Sequence, residues 1–345
     1  MSASFLTLTP DDRPRLLSVV DTEEEFDWSQ PFSREATTVR HIERIGWLQE
    51  VFDEFRAIPA YVVGYPIASQ KAAYLPLRTF IEEQRACLGA HLHPWVTPPY
   101  SEELSKWNSY GGNLSEELER AKLSNLTGRI EQSFGSRPRV FKAGRYGVGP
   151  NTLRILSNLG YTVDLSPAPP LDCSGDGGPN FSKMSCAPFQ DDKTGLLVIP
   201  GTGSFSGWWP GDQAAAHGWA TTSWRNRVRA NMFLSRSGAV HRLWLSPESF
   251  SATTMIRYTG SLVKRGVRSF VVSLHSPVVM AGATPFARNE GEVTELLGRL
   301  REYLRFFFGE LQGEAWTPQA ALDYWSAQPA WRVPRPVTAP RAGAA

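Results

Sequence analysis

Three short stretches of the sequence carry side chains that bind metals or transfer protons. Asp21 and Glu23 follow the apolar run RLLSVV, His91 and His93 stand in CLGAHLH, and His275 ends RSFVVSLH. Residues two apart point to the same face of an extended chain, so each of the first two pairs is predicted to share a face. Two imidazoles and one carboxylate form a common ligand set for a catalytic metal. A further carboxylate and a further imidazole can accept and donate protons.

The elements that must position these residues alternate along most of the chain. Apolar residues recur at helical spacing over 41–55 and 114–134, whereas PAYVVGYP and RVFKAG are short apolar runs bounded by turn-forming residues. This alternation predicts an α/β fold with a parallel sheet, in which the carboxyl ends of the strands face one crevice. Arg145, Tyr146 and Asp164 also follow or end predicted strands, so we expect them at the same crevice.

The chemistry that such a set supports is hydrolysis. A bound metal lowers the pKa of its water toward about 7 and so supplies a nucleophile at neutral pH. A carboxylate outside the ligand set can take the proton of that water, and a histidine can protonate the leaving group. Zinc suits two histidines and a carboxylate, although cobalt, nickel or manganese would also bind. The residues therefore indicate a metal-assisted amide or ester hydrolase.

Each signal also has an ordinary explanation. The run DTEEEFD, residues 21–27, holds five carboxylates, and a solvated acidic turn has the same composition. Two histidines in a His-x-His pattern are a weak metal signal alone, and Lys142 and Arg145 are residues that commonly lie at the surface. The order of the signals favours the functional interpretation, because each falls at the end of a predicted strand.

Composition is that of an ordinary globular protein and excludes several partner classes. The chain has 345 residues, of which 41% are hydrophobic and 20% charged. A net charge of +2 gives no reason to expect a nucleic acid or an anionic membrane as a partner. The sequence has no apolar run of about 18 residues and no secretory pattern, so we expect no membrane span and a cytoplasmic protein. The oligomeric state is left open.

The chain is predicted to form one domain over 1–330 with a disordered tail at 331–345. Within the domain the alternation loosens at 167–245, which predicts an irregular insertion with the glycine-rich loop GTGSFSGWWPGD. Tryptophans are frequent here, and they either stack on sugar rings or fill a core beneath a long loop. Three scattered cysteines exclude a disulfide framework.

Four of these stretches together resemble a known family. SVVDTEEEFDW, GAHLHPWVTPP, FKAGRYGVGPNTLRILSNLGYTVDLS and VVSLHSP are similar, in order, to motifs of the polysaccharide deacetylases, which are carbohydrate esterases of family 4. The resemblance is to a divergent branch with an aspartate-x-glutamate first motif and covers roughly residues 15 to 325. It implies a distorted (β/α) barrel of about seven parallel strands. It also implies metal-dependent removal of an N-acetyl or O-acetyl group from a sugar of a glycan or glycolipid precursor.

The resemblance also implies residue roles. Asp21 is expected to be the general base and His275 the general acid, while Arg145 or Lys142 orients the base. Glu23, His91 and His93 are the expected metal ligands, and the metal is expected to be Zn²⁺. Substrate binding is assigned to four residues: Trp28, Trp95, Tyr146 and Asp164.

The sequence departs from the family pattern at the metal site. The second metal histidine of the family lies four residues after the first, where this chain has Trp95, and His93 is the local substitute. Glu24 and Glu25 are rivals of Glu23 because the family's adjacent aspartates are spread into DTEEE. Two alternative functions stay open: a hydrolase of a small non-sugar amide, and a metal-free protein that binds glycans.

Overall fold

A curled, mostly parallel sheet forms the framework of the protein. The computed structural model describes residues 3–27, 30–206, 219 and 241–332. Seven strands pair in parallel in the order β8-β6-β5-β4-β3-β2-β11. They are β2 (Arg15–Thr22), β3 (Ala60–Val63), β4 (Cys87–Leu92), β5 (Val140–Ala143), β6 (Val163–Asp164), β8 (Leu197–Val198) and β11 (Ser269–His275). The predicted barrel-like fold of about seven parallel strands is therefore confirmed.

Short strands extend this sheet and form a second one. β1 (Ala3–Phe5) and β7 (Phe189–Asp191) pair antiparallel at one edge, and β12 (Glu314–Trp316) runs parallel to β2. β9 (Gly203–Ser206) and β10 (His241–Trp244) form a separate antiparallel pair. The region predicted as an irregular insertion at 167–245 thus contains strands, and residues 203–206 of its predicted glycine-rich loop form β9. Residues 207–218 and 220–240 of that region lie outside the described residues, as does the predicted tail from 333 on.

Eight α-helices within the described residues connect or flank the strands. They are α1 (Ile45–Asp53), α2 (Tyr65–Ser69), α3 (Lys71–Glu82), α4 (Glu116–Phe134), α5 (Thr152–Asn158), α6 (Ala252–Lys264), α7 (Glu290–Arg305) and α8 (Pro318–Ser326). Side chains cap four helix N-termini, as when Ser115 accepts a hydrogen bond from the Leu118 backbone N–H. None of the helices in the described part of the chain is long and apolar enough to cross a bilayer.

The alternation of side chains along each strand decides which residues can reach the site. Leu16 and Val20 of β2 pack in the large hydrophobic core that the sheet shares with the surrounding helices. Leu17 and Val19 belong to a second core on the opposite face of the sheet, the interior of the barrel. Asp21 continues the series 17, 19, 21, and it therefore emerges on the interior face just where β2 ends.

The same parity holds in the neighbouring strands. In β4, Ala90 and Leu92 face the helices, so His91 faces the interior. In β5, Val140 lines the interior and is followed two residues later by Lys142. In β11, Val271 lines the interior and His275 lies four residues further along the same face. The register aligns these ends, since Asp21 pairs with His275 and His91 with Lys142.

Candidate active site

Two histidines and a glutamate form a buried cluster at the ends of β2 and β4. Glu23 Oε2 lies 3.2 Å from His91 Nε2 and 3.3 Å from His93 Nε2. The three side chains offer one ligand atom each, all within 4.8 Å of one another. Bonds of about 2.0–2.2 Å to a tetrahedral Zn²⁺ place neighbouring ligand atoms roughly 3.3 Å apart. The two measured distances fit that spacing.

The second nitrogen of each ring is already engaged. His91 Nδ1 lies 3.0 Å from the Lys142 carbonyl oxygen, and His93 Nδ1 lies 2.7 Å from Glu24 Oε1. Both partners are acceptors, so each Nδ1 carries a proton, and Nε2 of each ring is the nitrogen directed at Glu23. Burial lowers the pKa of His91 to about 4, an effect that Asp21 partly offsets. A neutral imidazole is the form that binds metals.

The backbone around His93 permits this arrangement only with glycine at position 144. A Cβ atom on Gly144 would lie 2.1 Å from Cδ2 of the His93 ring. On its other side the His93 ring stacks on Trp95, with ring centroids 4.1 Å apart. The histidine is therefore held between a strand end and an indole ring.

Asp21 lies beside the cluster and is paired with a buried cation. Lys142 Nζ donates to Asp21 Oδ1 at 2.7 Å and to Oδ2 at 2.6 Å, and both residues are buried. Although burial opposes ionisation, Lys142, His91 and His275 lower the pKa of Asp21. The carboxylate is consequently ionised at neutral pH and held in a fixed orientation.

His275 approaches Asp21 from the other side and is oriented by Glu248. His275 Nε2 lies 3.8 Å from Asp21 Oδ2, while Nδ1 lies 2.9 Å from Glu248 Oε2. The His275 backbone N–H also donates to Glu248 Oε1 at 2.8 Å. Burial disfavours the charged ring, but Glu248, Glu23 and Asp21 outweigh it and raise the pKa of His275 to about 10. This histidine is therefore protonated at neutral pH.

The rival carboxylates of the acidic run have separate partners. Glu24 is fully buried, and its Oε1 accepts from His93, so it lies behind a predicted ligand. Glu25 accepts from the His41 backbone N–H at 2.9 Å and pairs with Arg40 at 3.2 Å. Against the cost of burial, these donors lower the pKa of Glu25 to about 2. Only Glu23 of the three faces both His91 and His93.

Arg145 takes a different direction from the one expected for a residue that orients the base. Its backbone is left-handed, with φ of 52°, and its guanidinium lies over the Tyr110 ring at 4.2 Å and donates to Ser109. The ion pair with Asp21 is made by Lys142, the other candidate. Arg145 instead lines the cleft beside Tyr146 and Tyr110.

The four predicted substrate-binding residues differ in their positions relative to the cleft. Tyr146 lines the cleft, and its ring lies 5.6 Å from Lys142 Nζ. Trp95 is only 1% exposed and packs behind His93, which contradicts a direct contact with substrate. Asp164 is contradicted too: alternation puts Val163 and Leu165 in the interior core, and Asp164 on the other face accepts from Ser166. Trp28 lies outside the described residues.

The site opens into a cleft of about 190 Å³. Three ring-bearing residues, Tyr110, Tyr146 and Phe286, line it together with Asp21, Glu23, His91, His93 and His275. The sequence alone did not single out Glu248, although it follows the apolar run HRLWL and so obeys the strand-end rule that located the other candidates. The backbone N–H of Ser273 donates to the Leu245 carbonyl at 3.1 Å, which brings this run beside β11.

Comparison with known proteins defines the class of fold. No protein-family model matches the sequence, and no curated protein matches it either. A structure described as a "putative polysaccharide deacetylase from Mycobacterium smegmatis" is 15% identical, covers 98% of this chain and 99% of its own, and has a TM-score of 0.54. A "probable Polysaccharide deacetylase from Pseudomonas aeruginosa PAO1" is 13% identical over 94% of this chain and 96% of its own, with a TM-score of 0.52.

The same fold occurs in a structure described as "Puue Allantoinase". It is 13% identical, covers 95% of this chain and 96% of its own, and has a TM-score of 0.52. The fold of this chain is therefore that of the polysaccharide deacetylases and their structural relatives, at low sequence identity.

Proposed function

We propose that the protein is a metal-dependent hydrolase that removes an acetyl group from an N- or O-acetylated sugar. One observation carries the proposal: the Glu23–His91–His93 cluster, the Asp21–Lys142 pair and the His275–Glu248 pair converge in one cleft. Hydrolysis of an amide or ester needs an electrophile, a base and an acid around one carbonyl group, and this cleft offers residues for each.

Glu23, His91 and His93 would hold the metal, with Zn²⁺ as our first choice. When bound, the metal would polarise the acyl oxygen and make water a nucleophile at neutral pH. The donor distances fit zinc, and the acceptors on both Nδ1 atoms keep the rings in the tautomer that binds it. Glu24 would hold His93 in orientation, since a carboxylate behind a metal-ligating histidine fixes the ring and raises its basicity.

Asp21 would act as the general base. Its carboxylate lies next to the cluster without belonging to it, and Lys142 keeps it ionised and oriented. The proton accepted from water would thus reach a group that is charged throughout the neutral range.

His275 would act as the general acid. It is charged before the reaction because Glu248 holds Nδ1, and its Nε2 faces the cleft near Asp21. Donation of the Nε2 proton to the departing amine or alcohol would leave a neutral ring still fixed by Glu248. The base and the acid are thus set to opposite protonation states by opposite partners.

The test is acetate release from fully acetylated chitotetraose by protein that has been stripped with a chelator and reloaded with Zn²⁺. We expect hydrolysis by the reloaded protein and none by the stripped one. Elemental analysis of the protein as purified separates the alternatives, because a metal-free protein that binds the sugar without hydrolysing it would support a glycan-binding role.

A second candidate is hydrolysis of a small non-sugar amide. The cleft volume of about 190 Å³ also admits such a substrate, and the structure described as an allantoinase has the same fold. Allantoin therefore belongs in the same assay. Turnover of allantoin but not of acetylated sugars by the zinc-loaded protein would replace the sugar proposal.

A further inference from the structure

A groove of about 490 Å³ lies beside the cleft and shares Arg145 with it as a wall residue. Its other wall residues include Phe26, Phe32 and Lys106. From this groove we infer that the sugar substrate carries a negatively charged group, a carboxylate or a phosphate, next to the acetyl group that enters the cleft. This inference rests on the proposed function.

The charges of the groove are balanced differently from those of the cleft. The two cations beside the catalytic candidates each have a carboxylate of their own, with Lys142 on Asp21 at 2.6 Å and His275 on Glu248 at 2.9 Å. Charge-assisted hydrogen bonds of good geometry have such lengths, about 2.7–2.9 Å. Neither Lys142 nor His275 is therefore left for an anionic substrate.

In the groove, two cations share one carboxylate at a longer distance. Lys106 Nζ lies 3.4 Å from Asp176 Oδ1, and Arg145 lies 3.4 Å from Asp176 Oδ2. Asp176 is 44% exposed and Lys106 is 72% exposed, so solvent weakens both pairs. Among the described residues, the charged side chains of this wall therefore carry one excess positive charge, and Lys106 and Arg145 have hydrogen-bond donors that Asp176 does not use.

The contacts of Arg145 hold it at the groove and away from Asp21, the proposed base. Its left-handed backbone turns it away from Asp21, and Tyr110 and Phe32 flank the guanidinium at 4.2 and 5.3 Å. Its side chain is only 14% exposed, so the planar group is held at the boundary of cleft and groove. A guanidinium fixed in this way binds carboxylate or phosphate by two parallel hydrogen bonds.

The positions of cleft and groove also determine which part of the substrate contacts each of them. The acetyl group must reach the Glu23 end of the cleft, while an anion on the same sugar or on its neighbour meets Arg145 and Lys106. The rings of Phe32 and Phe26, which stack with centroids 5.4 Å apart, give the groove an apolar surface for the sugar itself.

The test compares charged and neutral probes that present the same acetylated sugar. Hyaluronan tetrasaccharide supplies a carboxylate beside N-acetylglucosamine, N-acetylglucosamine 1-phosphate supplies a phosphate, and chitotetraose and free N-acetylglucosamine are their neutral counterparts. Binding is measured by calorimetry on the zinc-loaded Asp21→Asn protein, so that turnover does not interfere. Ionic strength is kept at 0.15 M, where the Debye length is about 8 Å and long-range attraction is screened.

We expect at least one anionic probe to bind about tenfold more tightly than its neutral counterpart, because one or two hydrogen bonds to charged donors contribute about that much to affinity. Lys106→Gln should remove most of that preference and leave neutral binding within about twofold, and Arg145→Gln should remove it as well. Lys264→Gln, at the far end of α6, removes the same charge elsewhere and should keep the preference. The anionic probe that binds more tightly than its neutral counterpart shows whether the groove recognises a carboxylate or a phosphate.

Equal binding of charged and neutral probes, or an equal loss in Lys106→Gln and Lys264→Gln, would overturn the inference. Acetate release from chitotetraose without any anion preference would leave the proposed function standing and refute only this step. Selective anion binding that depends on Lys106, without hydrolysis of any acetylated sugar, would refute the proposed function and leave the anion-binding groove standing.

Discussion

The two sides of the cleft use the same residue types in opposite charge states. On the side of the proposed metal site, His91 is buried against a backbone carbonyl and is neutral. On the side of the proposed proton transfer, His275 is buried against the Glu248 carboxylate and is charged. Burial alone disfavours the charged ring at both places. The partner of Nδ1 therefore helps to set the different charge states of His91 and His275, which are the states that their proposed roles as ligand and acid require.

The same comparison holds for the carboxylates. Asp21 is ionised because Lys142 contacts both of its oxygens. Glu23 has no such cation among the described residues: burial raises its pKa to about 7 against the effect of His275 and His93. A divalent cation bound between Glu23, His91 and His93 would supply the positive charge that favours the ionised form of this buried carboxylate.

The largest expected effect comes from removing the base. Asp21→Asn keeps the shape of the side chain and the three metal donors but cannot accept the proton of water. We expect kcat for acetate release to fall by about 10³-fold, within the range of general base catalysis. Zinc content by elemental analysis is the control and should match that of the unmodified protein. Hydrolysis at the normal rate would remove Asp21 from the mechanism.

Breaking the acid side should have the next largest effect. Glu248→Gln replaces the carboxylate that keeps His275 charged, and we expect kcat to fall by about 10²-fold. A general acid must be protonated, and the pKa of His275 is raised to about 10, so we expect activity to decline only as pH rises through that value. In the variant the pKa of His275 should be lower, and the decline of activity on the alkaline side should begin at a lower pH. The pH profile of kcat measures this limb, and an unchanged limb would show that Glu248 does not act through His275.

A smaller effect, on metal affinity, is expected from a change at Glu24, which lies behind the proposed ligand His93. Glu24→Gln weakens the acceptor for His93 Nδ1, and loss of such a partner costs about 10- to 100-fold in metal affinity. Calorimetric titration of Zn²⁺ into chelator-treated protein measures this affinity. Glu25→Gln is the matched control, since Glu25 bonds to His41 rather than to a metal donor. Equal affinities in the two variants would place Glu24 outside the metal site.

Strand-end reasoning from the sequence predicted both the fold and the place where the site residues meet. It succeeded for Asp21, His91 and His275 because parallel strands end at one edge and side chains alternate strictly along them. Asp164 failed for the same physical reason: it also follows a strand-like run, but its parity puts it on the helix side of the sheet.

The other features depend on contacts that sequence spacing does not determine. Arg145 follows its strand in a left-handed turn, so being near a strand end did not bring it to Asp21, whereas Lys142 inside β5 has the right parity. Glu248 reaches His275 through a turn between β10 and α6, across 27 positions of sequence. The burial of Trp95 depends on packing against Phe26 and Phe32.

The most direct test of the central claim is a crystal structure of the zinc-loaded protein with anomalous diffraction at the zinc edge. We expect one strong peak bonded to Glu23 Oε2 and to Nε2 of both His91 and His93, with His275 still on Glu248 and not bonded to the ion. A peak coordinated by His275 or Asp21, or no peak in the cleft at full zinc loading, would contradict the division of the site into a metal side and a proton-transfer side.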